Sequence, residues 1–205
     1  MGKKGAETRE HILATAESII LERGYAGTSI EDIIKAAGIT KGGFFYHFEG
    51  KNDLACKLML RYLVQDKAFF EGLIERAGQL SEDPLQQYLI FLKLLAEAMA
   101  DLPGTHPGCL VASFTYEARQ FDDDVQNLNA EGVMAWRRIF LEMLERAAAK
   151  YPLLIERPLE ELADMLTSTI EGGIVVSKVL DDADILPAQL LQYRNYVRLA
   201  FGDAR

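Results

Sequence analysis

The stretch 28–54, TSIEDIIKAAGITKGGFFYHFEGKNDL, decides the fold of this chain. Its apolar residues at positions 30, 33, 34 and 37 lie on one face of a helix. Gly38 can adopt the left-handed backbone that ends this helix, and Thr40 can cap the next one. Two helices joined by such a turn form a helix-turn-helix, whose second helix lies in the major groove of DNA.

The start of the first of these helices is open to two interpretations. Ser29 and Asp32 have the spacing of a capping box, in which each side chain bonds the backbone N–H of the other residue. Thr28 and Glu31 have a similar spacing one residue earlier. Both frames predict a short helix that ends at Gly38.

The second helix, KGGFFYHF at residues 41–48, has an unusual composition. Each of its two glycines costs about 1 kcal/mol relative to alanine in a helix, so stability alone does not select them. Glycine does allow a helix to approach another backbone closely. Together with the charged turn and the K-N-D-L that follow at residues 49–54, this run resembles the recognition helix of the TetR-type transcriptional regulators.

The resemblance runs from the first helix to the start of the fourth, and it implies the all-α fold of that family. Residues 1–52 would form a three-helix helix-turn-helix domain, and residues 53–205 a larger helical domain for ligand binding and dimerisation. Apolar residues in the rest of the chain recur at helical spacing, which predicts about nine helices, and no alternating strand pattern occurs. Residues 1–6 are predicted to be a frayed basic arm, and one helix is predicted over residues 108–120.

The candidate contacts to double-stranded DNA lie in and around the two short helices. Thr28, Ser29 and Thr40 precede helix starts, where free N–H groups and the helix dipole favour phosphate, although they could equally act only as caps. The resemblance implies that Tyr46 and His47 contact phosphates. The full set of candidates is Thr28, Ser29, Thr40, Lys41, Gly42, Gly43, Phe44, Tyr46, His47 and Lys51.

Base recognition is assigned to the start of the second short helix. Lys41 can donate to guanine, or it contacts a phosphate only, and Phe44 can touch a thymine methyl group. Phe45 and Phe48 are instead interpreted as core residues. Lys51 begins a helix, where the dipole disfavours a cation, so a phosphate partner would explain its presence there.

The resemblance also implies a pocket for a small, mainly apolar effector in the larger domain. Its candidate lining residues, for each of which plain core is the simpler alternative, are Tyr88, Met99, Cys109, Phe114, Trp136, Phe140 and Met165. Cys109 follows Gly108 at a predicted helix start, and such a position lowers the pKa of a thiol. A sensor of oxidants or electrophiles is therefore one hypothesis for Cys109, and a buried structural cysteine is the other.

A homodimer interface is predicted on the last two helices. The glycine pair at residues 172–173, within a helix rich in Ile and Val, indicates close helix approach, so two helices from each subunit would form a four-helix contact. Packing within one chain is the alternative. The candidate interface residues are Leu166, Ile170, Gly173, Ile174, Leu190, Tyr193 and Val197.

The charge distribution is compatible with DNA binding despite a net charge of −9. Residues 1–60 contain eight basic and eight acidic residues, so the whole excess of acid lies in residues 61–205. That acidic part would repel phosphate and orient the molecule, or it is simply solvated surface. We find no signal peptide and no membrane span, and we expect a cytoplasmic protein without a membrane partner.

The sequence contains no catalytic constellation, no metal-ligand spacing and no cofactor motif. The prediction is therefore a ligand-responsive DNA-binding regulator, most simply a repressor that binds a near-palindromic operator as a homodimer. Two alternatives remain: an all-α adaptor for other proteins, and a carrier or enzyme with an apolar cavity and no DNA binding.

Overall fold

The computed structural model describes residues 2–202 and contains nine α-helices and no strand within that range. The helices are α1 (Lys3–Arg23), α2 (Ile30–Ala37), α3 (Lys41–His47), α4 (Lys51–Leu80), α5 (Pro84–Ala100), α6 (Leu110–Tyr116), α7 (Asp123–Ala148), α8 (Leu159–Leu180) and α9 (Ile185–Ala200). A 3₁₀ turn, Ala118–Gln120, follows α6. The predicted all-α class is confirmed. Over residues 2–202, no helix combines the length and apolar character needed to cross a membrane.

The helices form two compact units, which we describe separately. The head unit comprises the described residues up to Gln65 together with Pro107–Val133. The body unit comprises Asp66–His106 together with the described residues from Met134 onward. The predicted boundary after residue 52 therefore does not coincide with the compact units. Local periodicity could not show that Pro107–Val133 folds with the N-terminal helices, because this packing joins residues far apart in the chain.

The start of α2 is set by Ser29. Its hydroxyl accepts a hydrogen bond from the Asp32 N–H at 3.1 Å, and the Asp32 carboxylate accepts one from the Ser29 N–H at 2.9 Å. Thr28 is fully buried and donates to the carbonyl of Gly24 at 2.8 Å instead. Of the two capping frames, the one beginning at Ser29 is therefore confirmed.

The turn between α2 and α3 follows the predicted chemistry. Gly38 ends α2 with a φ of +64°, a conformation that glycine adopts without strain. The Ile39 N–H then donates to the Ile34 carbonyl at 3.2 Å. Thr40 caps α3 by accepting from the Gly43 N–H at 3.0 Å. These bonds satisfy backbone groups that helix ends leave without partners.

Two helices differ from the sequence-based expectation. α1 begins at Lys3, so residues 3–6, which we predict as a frayed basic arm, are helical, whereas Met1 lies outside the described residues. α6 ends at Tyr116, although the pattern predicts one helix over residues 108–120. The chain instead tightens into the 3₁₀ turn before α7 begins.

In the body unit, α9 packs against both α5 and α8. Two buried tyrosines, Tyr88 on α5 and Tyr193 on α9, join their hydroxyl groups at 3.0 Å. Tyr193 donates to the Leu162 carbonyl at 2.8 Å, so Tyr88 is the donor to Tyr193. Both hydroxyl groups are thus satisfied within the core, as buried polar groups must be.

The glycine pair on α8 faces in two directions. A Cβ on Gly173 would lie 2.7 Å from Leu186 Cδ1 and 3.3 Å from Leu186 Cα, so this glycine allows close packing within the chain. A Cβ on Gly172 would meet no atom within 4 Å, because this residue is exposed. The close helix approach predicted here is therefore intramolecular at Gly173.

The residues predicted for the dimer interface lie mostly inside the body unit. Ile170 is partly exposed, but the others are buried: Leu166, Gly173, Ile174, Leu190, Tyr193 and Val197. Their side chains stabilise the protomer and are not available to a partner. These residues do form a helix–helix contact, but it is the alternative considered above, packing within one chain.

Replacing Gly173 by Ala should destabilise the protein by about 1–3 kcal/mol, since the added methyl group collides with Leu186 in a packed core. The matched control is Gly78→Ala in α4, where no atom lies within 4 Å of the new Cβ. We expect this control to stabilise the protein by about 0.5–1 kcal/mol, the difference between Ala and Gly in a helix. Urea unfolding measures both values, and equal stability of the two variants would contradict the packing described for Gly173.

Candidate nucleic-acid interface

Helix α3 presents its first turn to solvent. Lys41 and Gly42 are exposed, and Thr40 holds the N-terminus by the cap described above. A Cβ on Gly42 would lie 4.0 Å from Thr40 Oγ1, which is ordinary contact. The fold itself therefore does not require glycine at this position. A close approach to the backbone or bases of a partner molecule would require it.

The aromatic residues of α3 are arranged differently from the prediction. Phe44 is fully buried and packs on Phe48, with ring centroids 5.3 Å apart. Phe45 is 45% exposed. Positions 44 and 48 share one helix face, whereas position 45 is rotated by about 100° from that face. Phe44 is therefore a core residue that cannot reach a thymine methyl group, and Phe45, predicted as core, is the exposed one.

Tyr46 and His47 end the helix. Tyr46 is 74% exposed, and its ring meets the His47 ring edge-on at a centroid distance of 4.9 Å. His47 is half-buried, and its Nδ1 is buried without a hydrogen-bond partner. The His47 carbonyl accepts from Lys57 Nζ at 3.3 Å. The exposed phenol can therefore reach a phosphate oxygen beside α3, whereas the buried Nδ1 of His47 cannot, which leaves Nε2 as the ring nitrogen for such a contact.

The N-terminus of α2 is less suited to phosphate than predicted. Thr28 is buried, so its side chain cannot contact DNA. Ser29 is exposed, but the Asp32 carboxylate already accepts from its N–H. Hydrogen bonds from the Ser29 hydroxyl and N–H hold the pKa of Asp32 below its ordinary value. The resulting negative charge competes with phosphate at this helix end.

Lys51 has partners within the protein. Its ammonium donates to the Tyr25 carbonyl at 2.5 Å and lies 4.0 Å from the centre of the Tyr25 ring. Burial lowers the pKa of this ammonium, while the nearby Glu117 carboxylate acts in the opposite direction. These contacts account for a cation at the start of α4. The phosphate partner that we inferred from the helix dipole is therefore not needed to explain Lys51.

The segment Pro107–Val133 packs against the turn between α1 and α2. Tyr25 packs against Phe114 and Phe121, with ring centroids 5.7 Å and 4.3 Å away. Its backbone N–H donates to the Glu117 carboxylate at 2.7 Å. Sequence analysis missed Phe121 and Glu117 as parts of this site, because nothing in the local pattern relates them to residues about 90 positions earlier in the chain.

Two family models match this chain. Residues 12–56 match the model of the bacterial regulatory proteins of the tetR family, and residues 84–189 match the C-terminal domain of LmrA/YxaF-like transcriptional regulators. The second match alone covers half of the chain. The chain belongs to the TetR family. It is a ligand-responsive, DNA-binding transcriptional regulator, and the family is one of regulators rather than of enzymes.

Curated relatives of this TetR-family chain are similar over most of their length. It is 24% identical over 193 residues to the transcriptional repressor NemR of Escherichia coli strain K12, covering 93% of this chain and 94% of NemR. It is 25% identical over 171 residues to the transcriptional repressor DhaR of Mycobacterium sp. strain GP1, covering 83% and 82% of the two chains.

Solved structures of the family share the fold. A TetR regulator from Chloroflexus aurantiacus superposes with a TM-score of 0.80 at 25% identity, and covers 96% of each chain. A TetR-family regulator from Agrobacterium tumefaciens superposes with a TM-score of 0.79 at 24% identity, over 94% of this chain and 98% of that one. The all-helical architecture is therefore that of TetR-family regulators.

The candidate effector-binding residues do not form one group in this TetR-family chain. Tyr88, Trp136 and Phe140 are buried in the body unit, Met99 is partly buried there, and Met165 is exposed. Phe114 and Cys109 belong to the head unit, where Phe114 lines a cavity of about 230 Å³. This volume is below the range of about 300–1,000 Å³ that is typical of ligand pockets.

Cys109 is the N-cap of the seven-residue helix α6. Its sulfur accepts from the Ala112 N–H at 3.5 Å, and the residue is only 7% exposed. The predicted position at a helix start is confirmed. The burial favours the structural interpretation over the sensor, because a reactive thiol needs access to its oxidant.

Replacing Lys51 by Ala should destabilise the DNA-free protein by about 1–3 kcal/mol, through loss of a charged hydrogen bond and a cation–π contact. Lys35→Ala, an exposed lysine on α2, is the control and should leave stability within about 0.5 kcal/mol. Urea unfolding measures both. If the stability of K51A is unchanged and the slope of log affinity against log salt concentration is smaller by about one, the ammonium instead contacts a phosphate.

Proposed function

We propose that this TetR-family regulator is a repressor that binds a near-palindromic operator as a homodimer and releases it when a small, mainly apolar effector binds. The observation that carries the proposal is the first turn of α3, where Lys41 and Gly42 stand exposed on a capped helix that Phe44 anchors. The names of NemR and DhaR as repressors support the direction of regulation. We place this activity in the cytoplasm, where bacterial DNA lies.

The proposed DNA contacts are the predicted ones that the structure leaves accessible. Lys41 reads a base edge, the glycines beside it allow close approach, and Tyr46 and His47 bind phosphates. Phe45 replaces Phe44 as the side chain that can meet a base methyl group, because Phe45 is exposed. The predicted residues that are accessible are Ser29, Thr40, Lys41, Gly42, Gly43, Tyr46 and His47, and Phe45 is added to them.

The proposed dimer uses the outward face of α8 and α9. On α8, exposed Gly172 and the valines at positions 175, 176 and 179 have the spacing of one helix face. Val179 alone is 76% exposed. Exposed large apolar residues on α9 are Leu191, Tyr196 and Leu199. A surface of this kind on two neighbouring helices fits a self-complementary contact with a second copy.

Two copies would place two α3 helices on one side of a duplex. Half-sites about 34–36 Å apart, or a multiple of this distance, would let both copies enter the major groove, so the operator should be near-palindromic. The two head units can adopt an arrangement that fits DNA and one that does not. An effector releases DNA only if its affinity is higher for the arrangement that does not fit DNA.

Replacing Lys41 by Ala should weaken binding to duplexes selected by the wild-type protein by about 1–3 kcal/mol and relax base preference at one position in each half-site. Lys93→Ala on α5 removes the same charge from an exposed position of the body unit and serves as the control. Selection from a random pool of duplexes, followed by titration at several salt concentrations, measures both effects. A K41A variant with unchanged affinity and preference would contradict base reading by α3.

Replacing Val175 by Asp should convert the dimer to monomers and abolish tight operator binding, because a buried unpaired carboxylate is costly at an apolar contact. The matched control is Val64→Asp, since Val64 is also exposed but lies on α4 in the head unit. Sedimentation equilibrium gives the oligomeric state, and circular dichroism verifies folding. A V175D protein that remains dimeric would exclude this face as the interface.

A further inference from the structure

We propose that Glu117 is a positioning residue for DNA recognition, which holds the turn between α1 and α2 and thereby sets the position of α2 and α3. The inference rests on the DNA-binding function proposed above, and it adds a residue outside the helix-turn-helix. Glu117 follows α6 and lies 91 residues after Ala26 in the chain, within the region matched by the C-terminal family model. The DNA-binding helices are thus held by a residue of that region.

The carboxylate of Glu117 accepts two hydrogen bonds from consecutive backbone groups of the turn. The Tyr25 N–H donates to Oε1 at 2.7 Å, and the Ala26 N–H donates to Oε2 at 2.6 Å. Both distances are short for N–H···O bonds, as expected when the acceptor is charged. Since each carboxylate oxygen takes one N–H, the side chain constrains both the position and the orientation of the turn.

The turn transmits this constraint directly to α2. The Thr28 N–H donates to the Tyr25 carbonyl at 3.2 Å, and the buried Thr28 hydroxyl donates to the Gly24 carbonyl at 2.8 Å. The next residue, Ser29, is the N-cap of α2. From the carboxylate to the first turn of α2, each link is therefore a hydrogen bond or a peptide bond, and α3 follows after the turn at Gly38.

The backbone of the turn is shaped around the carboxylate. Gly24 has a φ of +79°, and a Cβ at this position would lie 2.7 Å from Glu117 Oε1. Glycine at position 24 is thus required by its conformation, and a side chain there would also displace the carboxylate of Glu117 from the turn. The ring of Tyr25 rests on Phe114 and Phe121, on either side of Glu117 in the sequence.

A second polar contact joins the same two segments. The Asn52 side-chain amide, at the start of α4, donates to the Asp122 carboxylate. Asp122 also caps the beginning of α7 by accepting from the Val125 N–H at 3.1 Å. The segment around Glu117 therefore contacts the DNA-binding helices both at the α1–α2 turn and beyond α3, at the first turn of α4.

The test compares the full-length variants Glu117→Gln and Glu131→Gln. Both remove one negative charge from the head unit, but Glu131 is an exposed residue of α7. Affinity is measured for a duplex selected by the wild-type protein and for a scrambled duplex of equal length. Amide hydrogen exchange of residues 24–29 is measured without DNA, and thermal unfolding verifies that each variant is folded.

We expect E117Q to bind the selected duplex about tenfold more weakly, a change of about 1.4 kcal/mol, and the scrambled duplex less than twofold more weakly. Sequence-independent binding comes from electrostatic attraction to the phosphates. This attraction depends little on the exact placement of α3. Exchange at Tyr25 and Ala26 should accelerate in E117Q and stay unchanged in E131Q. Equal losses on both duplexes, or wild-type exchange and affinity, would overturn the proposal.

Glu117→Asp gives an independent measure and replaces E117Q should that variant not fold. It keeps the charge but withdraws the carboxylate by one methylene group, so we expect an intermediate loss of discrimination. An E117D protein equal to the wild type would show that charge alone matters and would overturn the positioning role. If the wild-type protein binds no duplex, the proposed function fails, whereas the exchange data still decide whether Glu117 holds the turn.

Discussion

The burial of Phe44 and Phe48 beneath α3 is the constraint on which the DNA-binding surface depends. A helix of seven residues with two glycines is not stable by itself in water, because nucleation is costly and glycine is a poor helix former. The Thr40 cap and the two buried rings, which lie on the core side of α3, supply the missing stabilisation. The exposed face of α3 can therefore carry small or polar residues that serve contact with a partner and not the stability of the helix.

Helix α8 meets two further requirements on opposite faces. Gly173 and its buried neighbours pack against α9 inside the body unit, where a single methyl group would collide with Leu186. Gly172 and Val179 point outward into solvent. Adjacent glycines therefore have different surroundings, one in the core of the protomer and one on the exposed surface that we propose for the dimer contact.

The head unit contains a segment from the middle of the chain in addition to the N-terminal helices. Its hydrogen bonds from Tyr25 and Ala26 to Glu117, together with the Asn52–Asp122 contact, include Pro107–Val133 in the same compact unit as α1, α2 and α3. Helices α4 and α7 each contribute residues to both units. The DNA-binding surface is thus shaped in part by a segment that the family models assign to the C-terminal domain.

The sequence by itself determined the all-α class, the helix-turn-helix with its turn at Gly38 and its cap at Thr40, and the resemblance to the TetR family, because these depend on neighbours in the chain. It left two capping frames open for the start of α2, and the structure selected the one at Ser29. It could not assign Phe44 and Phe45 to the correct sides of α3, since adjacent aromatics in a short helix have no periodicity to separate them. Only the tertiary structure showed that Lys51 and Glu117 meet at Tyr25 and that the apolar stripe of α8 and α9 is internal. Contacts between distant residues depend on how the helices pack, and local sequence patterns do not encode that packing.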